Sequence, residues 1–173
     1  MPAREQALEA FYGGPVWKAH KSDANATMVD SDNVLLLRLA SSGHGLPEHA
    51  SDQAADGIYG ATIYYIGDVD AAQFTDFFDH TLLPRLTAAG VHPIARLVTE
   101  ESPNNFPRLP VREHDRTFLW LGRWTSVKDH EVFLSRFRSL SGWRDCAPVS
   151  VLPALARKPE QLRLIPTKRS PMR

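Results

Sequence analysis

The spacing of apolar residues along this chain changes several times, and each change marks an element. Leu8, Phe11 and Tyr12 fall at helical spacing within residues 4–12. Gly13-Gly14 interrupts them, and Pro15 then stands where the first position of a helix tolerates proline. FYGGPVWKAH therefore predicts a helix, a break, and a second short helix carrying Val16, Trp17 and His20. NVLLLRL (33–39) is an apolar run bounded by Asp30-Ser31-Asp32 and Ser41-Ser42-Gly43, which predicts a strand. IYGATIYYI (58–66) predicts another. Asp70 with Gln73 suits a helix start, and Phe74, Phe77, Phe78, Leu82 and Leu86 mark its apolar face. Gly90 supplies the stop, while Pro84 should kink the last turn. IARLVT (94–99) and TFLWLGRW (117–124) predict two further strands. Ser126 and Asp129 form a second capping pattern before Val132, Phe133, Phe137 and Leu140. A proline-interrupted segment through Trp143, Pro148 and Pro153 leads to a last strand, LRLI (162–165).

From residue 58 the order is β-α-β-β-α-β, which predicts an α+β fold of the ferredoxin-like, split βαβ type. Its antiparallel sheet carries both helices on one face. The other face also bears aromatics, so a second sheet should bury it, and a dimeric α/β barrel is expected. Residues 1–40 supply only a helix and strand, the second half of such a repeat. Residues 41–56 are polar and small and predict a flexible linker, and 57–173 a complete repeat. NVLLLRL then either pairs with another sheet or belongs to a repeat that begins upstream.

Composition narrows the class. Hydrophobic residues make up 43% and charged residues 23%, a globular balance. No apolar run reaches the ~20 residues that span a bilayer. Cys146 is the single cysteine, which excludes an internal disulfide or a cysteine metal cluster and makes the cytoplasm the expected location. The zero net charge hides an asymmetry: residues 1–80 hold four Lys/Arg against twelve Asp/Glu, and residues 81–173 hold sixteen against eight. The basic tail is interleaved with Leu162, Leu164 and Ile165, so it reads as a strand and its exit rather than a nucleic-acid surface.

FYGGPVWKAH, ANATMVDSDNVLLLRLA (24–40), FFDHTLLPRL (77–86) and NNFPRLPVRE (104–113), with the ending LRLIPTKRS, together resemble the NIPSNAP family of the dimeric α/β-barrel superfamily. The resemblance implies two tandem ferredoxin-like repeats and a homodimer. Here the first repeat lacks its β-α-β-β portion, so a misplaced start or a shortened copy is expected. The resemblance implies no settled reaction and no cofactor. Two classes follow from it: a protein or small-ligand binding barrel, or a cofactor-independent monooxygenase acting on a phenol or quinol.

Three groups are candidate sites. NNFPRLPVRE lies in a connection of roughly sixteen residues, far longer than the ~2–5 of most hairpins, and three prolines stiffen it. Asn104, Asn105, Arg108 and Arg112 there offer donors for a carboxylate, carbonyl or phosphate. The competing reading has Phe106 and Leu109 plugging a core while Arg112 pairs with Glu113 or Asp115. Tyr12, Trp17, His20 and Asn25 form the second group. The monooxygenase resemblance implies an aromatic substrate among such residues, with His20 as the candidate base. The competing reading is an aromatic cap. Trp120 and Trp124, four apart on one strand, line a pocket or fill a core. No metal site is expected: His44, Glu48 and His49 fall in a polar loop, and His80 and His130 lack a second ligand at metal spacing.

Overall fold

A computed structural model describes residues 2–41, 57–140, 142–167 and 170. Of the predicted linker at 41–56, residues 42–56, with His44, Glu48 and His49, lie outside the described residues. The chain divides into two units, Met1–Leu36 with Glu100–Asp115, and Leu37–Thr99 with Arg116–Arg173.

The second unit holds a five-stranded antiparallel sheet. Its strands are β1 (Leu37–Leu39), β2 (Ile58–Tyr65), β3 (Ala95–Thr99), β4 (Thr117–Trp124) and β5 (Glu160–Leu164), in the order β1-β3-β4-β2-β5. Without β1 this is the ferredoxin-like arrangement, with the fourth strand of the repeat beside the first and the third beside the second. NVLLLRL joins this same sheet, pairing Leu37 with Thr99 and Leu39 with Leu97. Only its last residues form ladder, because β3 ends at Thr99. Upstream, its carbonyls turn to other donors: Glu100 N–H to Leu36 O and Arg112 N–H to Val34 O.

Register separates the two faces of the sheet. Ile58, Tyr64, Val98, Phe118, Trp120 and Trp124 share one face and pack with the helices. Those helices are α3 (Ala71–Phe77), α4 (Leu83–Ala89), α5 (Val127–Ser139) and α6 (Leu152–Ala156), the last a short helix within the proline-interrupted segment. Phe74, Phe78 and Phe118 are fully buried where helix meets sheet. Burial pushes the Tyr64 hydroxyl up to about 12, so it stays neutral at any physiological pH. Tyr59, Ala61, Ile63, Leu119 and Leu121 share the opposite face, beside Leu162 and Leu164 of β5.

Both predicted helix caps form. Asp70 accepts the Gln73 N–H at 2.9 Å, and Ser126 accepts the Asp129 N–H at 3.1 Å while donating to the Asp129 carboxylate at 2.8 Å. Gly90 ends α4 with φ of 101°, a conformation that favours glycine. Pro84 acts earlier than its expected kink in the last turn. Proline has no N–H for the carbonyl four residues back, and its ring collides with that carbonyl. The chain widens into a π-turn over Phe78–Leu82, where Leu83 N–H reaches Phe78 O five residues back. Phe78 and Leu82 stay buried there, and Asp79 ion-pairs with the buried Arg96 of β3.

Candidate functional site

The first unit is built from two helices and one long loop. Helices α1 (Pro2–Gly13) and α2 (Pro15–Ala26) contain no buried residue. Gly14 sets the break between them: a Cβ there would stand 2.8 Å from the Ala10 carbonyl oxygen. Pro15 then opens α2 at a position where its missing N–H costs nothing. The tight turn brings Tyr12 and Trp17 together at 4.9 Å between ring centroids, edge to face. Tyr12 also stacks on Phe106 of the loop, at 5.6 Å and 19° between ring planes. Phe106 is only 6% exposed, so the loop is anchored by an apolar plug.

The polar groups of NNFPRLPVRE hold the loop in shape. Asn104 accepts the Phe106 N–H at 3.0 Å and donates to the Leu109 carbonyl at 2.9 Å, while its own N–H binds the Glu113 carboxylate at 2.9 Å. Arg4 of α1 donates to the Asn104 and Asn105 side-chain oxygens at 3.1 and 2.7 Å. Arg112 donates to the Asn33 side chain at 3.0 Å and ion-pairs with Asp115. These bonds fix α1, the loop and the segment after α2 to one another within the unit.

A cavity of about 830 Å³ opens on this scaffold. Tyr12, Trp17 and Phe106 give it flat apolar walls; Leu109, Met28 and Val29 add aliphatic surface. Met28 and Val29 are exposed and form an apolar lip. Lys21, Asn25 and Arg108 supply donors, and Asp30 and Ser31 complete the lining. Arg108 lies 5.9 Å from the centroid of the Phe106 ring. Among the described residues neither Lys21 nor Arg108 has an ion-pair partner. Asp30 is different: hydrogen bonding from the Asp32 carboxyl and then its N–H, 3.0 Å away, holds Asp30 below the usual carboxylate range. The same pairing, with the Asp30 charge, raises Asp32.

Of the candidates named from the sequence, Tyr12, Trp17, Asn25 and Arg108 line this cavity together. Asn104, Asn105 and Arg112 lie outside the lining and serve the loop's own structure. Arg112 takes Asp115, one of its two anticipated partners, and Glu113 takes Asn104. His20 is exposed and does not line the cavity. Trp120 packs in the helix-side core of the second unit, not in the cavity: it is 4% exposed, with its ring near Phe78, Trp124 and Phe133. Lys21 escaped the sequence reading. Its signal was present in the four-residue repeat Trp17, Lys21, Asn25, which shares a helix face as well as the Trp17–His20 spacing does.

A smaller cavity, about 280 Å³, lies in the second unit among Arg38, Thr75, Asp76, Asp79 and Val98. Its carboxylates are engaged, Asp79 by Arg96 and Asp76 by His80 at 3.2 Å. Among the described residues no group of three or more His, Cys, Asp or Glu side chains is placed to hold a metal ion. No described helix is long and apolar enough to cross a membrane.

No family model matches the chain, and no curated protein sequence does. Solved structures do resemble it. A NIPSNAP family protein from Agrobacterium tumefaciens aligns with a TM-score of 0.51 at 16% identity, over 73% of this chain and 100% of that one. An uncharacterized NIPSNAP-like domain protein from Burkholderia xenovorans aligns with a TM-score of 0.49 at 14% identity, over 68% of this chain and 90% of that one. The Agrobacterium likeness and the strand order agree: the chain has the α+β, ferredoxin-like fold of NIPSNAP-family proteins.

Proposed function

We propose that this chain is a NIPSNAP-like binding protein that holds a small aromatic ligand in the cavity of its first unit. The carrying observation is the stacked pair Tyr12 and Phe106, with Trp17 edge-on, lining about 830 Å³ of space. That volume lies within the ~300–1,000 Å³ of small-molecule pockets, which combine apolar walls with a few polar groups. No observation favours the monooxygenase reading, whose candidate base, His20, is exposed and stands outside the lining. The protein also forms a homodimer, for which the open apolar surface on the second sheet face is Leu162 and Leu164 of β5; Tyr59, Ala61 and Ile63 of β2 and Leu119 of β4 on that face are already buried within the chain. The cytoplasmic location fits the single free cysteine, Cys146.

Titration calorimetry with 2-naphthol, a neutral flat probe, tests the cavity. Binding at sub-millimolar concentration is expected, weakened about five- to tenfold in Trp17→Ala through loss of ring contact. No heat of binding, or an affinity indifferent to Trp17→Ala, would overturn this reading.

A further inference from the structure

The charge around the cavity carries more than its shape. Lys21 on α2 and Arg108 on the loop both line it, and neither is neutralised by a carboxylate among the described residues. Two arginines of the same unit are engaged: Arg112 holds Asp115 and Asn33, and Arg4 holds Asn104 and Asn105. The acidic group of the lining, Asp30, accepts from the Asp32 carboxyl and N–H, which hold it ionised, and it forms no ion pair with either cation among the described residues. So the lining sets two cations against one carboxylate, Asp30, beside aromatic walls, and keeps an excess of positive charge.

Resting on the binding reading above, we propose that the ligand is an organic anion, a flat aromatic body bearing a carboxylate. Its rings lie against Trp17 and the Tyr12–Phe106 stack, and its carboxylate meets Lys21 and Arg108. A guanidinium presents a planar fork matched to a carboxylate, and an ammonium adds a second, movable donor. Asn25, one turn beyond Lys21, adds a neutral donor for the same oxygens. Flatness is selected by the walls and charge by the two cations, so the two properties are separable in a test.

The test compares 2-naphthoate, 2-naphthol and the cation 2-naphthylmethylammonium by calorimetry, on the parent chain and on Lys21→Gln, Arg108→Gln and the double variant. Both side chains are exposed, and circular dichroism confirms that each variant folds. 2-Naphthoate should bind about tenfold or more tighter than 2-naphthol, with the cation weakest. Each single variant should lower naphthoate affinity several-fold and naphthol affinity by a smaller factor; the double variant should erase the preference. Added salt should weaken naphthoate alone. Naphthol binding as tightly as naphthoate, or a naphthoate preference that survives the double variant, overturns the anion proposal while the cavity reading stands. Failure of all three probes overturns both.

Discussion

Gly60 and Gly122 face each other across β2 and β4, on the side of the sheet that packs with the helices. The Trp124 indole fills the space above them: a Cβ at Gly122 would lie 2.7 Å from its ring, and one at Gly60 2.8 Å. Trp120 closes the other side at 3.0 Å from the same Gly122 position. These indoles are 4% and 6% exposed, so neither ring has room to yield. Gly122→Ala should therefore destabilise the fold by ~1–3 kcal/mol, as overpacking does. Chemical denaturation reads this directly, and an unchanged midpoint would refute it. At this scale the sequence was half legible. Trp17 and Tyr12 stood out because aromatics flanking a Gly-Gly-Pro break converge whatever surrounds them. Lys21 did not, since three- and four-residue spacings share a helix face and only the loop opposite decides between them. Asn104 misled because its capacity to bond a ligand equals its capacity to bond Leu109 and Phe106.

Between elements, the π-turn at Phe78–Leu82 and strand β3 are tied by the Asp79–Arg96 pair. Arg96 is buried, with only 5% of its side chain exposed, whereas 32% of Asp79 is open. Removing the carboxylate leaves a guanidinium under apolar cover, and Asp79→Ala should cost about 2–4 kcal/mol. Combining it with Arg96→Met removes the stranded charge as well, so the double variant should be more stable than Asp79→Ala. Thermal melts compare the two, and a double variant less stable than the single one would show that the pair does not act this way. Caps, strands β2 and β4, and the Gly90 stop were legible because their chemistry is local. The π-turn was not: Pro84 announces a missing hydrogen bond, but where the ladder gives way depends on Phe78 and Leu82 holding their places in the core. Helix α6 was hidden by Pro148 and Pro153, although proline near the start of a helix is well tolerated.

For the molecule as a whole, the proposed dimer rests on the second sheet face. Leu162 and Leu164 on β5 remain 41% and 45% exposed, whereas Tyr59, Ala61 and Ile63 of β2 on the same face are already buried. A second copy laid on this face would bury the two leucines. Sedimentation should give a dimer for the parent chain, and Leu162→Glu with Leu164→Glu should shift it to monomer without loss of helix content. A parent chain that stays monomeric at high micromolar concentration would sink the dimer. Strand order was legible from the β-α-β-β-α-β sequence of elements. The division into units was not, because nothing local in NNFPRLPVRE says that it belongs with residues 1–36.

That division has a consequence in time. Arg4 meets its partner Asn104 after 100 further residues, and Tyr12 waits nearly as long for Phe106. On the ribosome, at roughly 5–20 residues per second, this is an interval of about 5–20 s. Throughout it α1 and α2, which bury nothing of their own, have no partner from the loop, and Tyr12 lacks the Phe106 ring on which it stacks. Helices this short are marginal alone. The cavity is thus assembled late in synthesis, and until then its aromatic residues are an exposed sticky segment on a nascent chain.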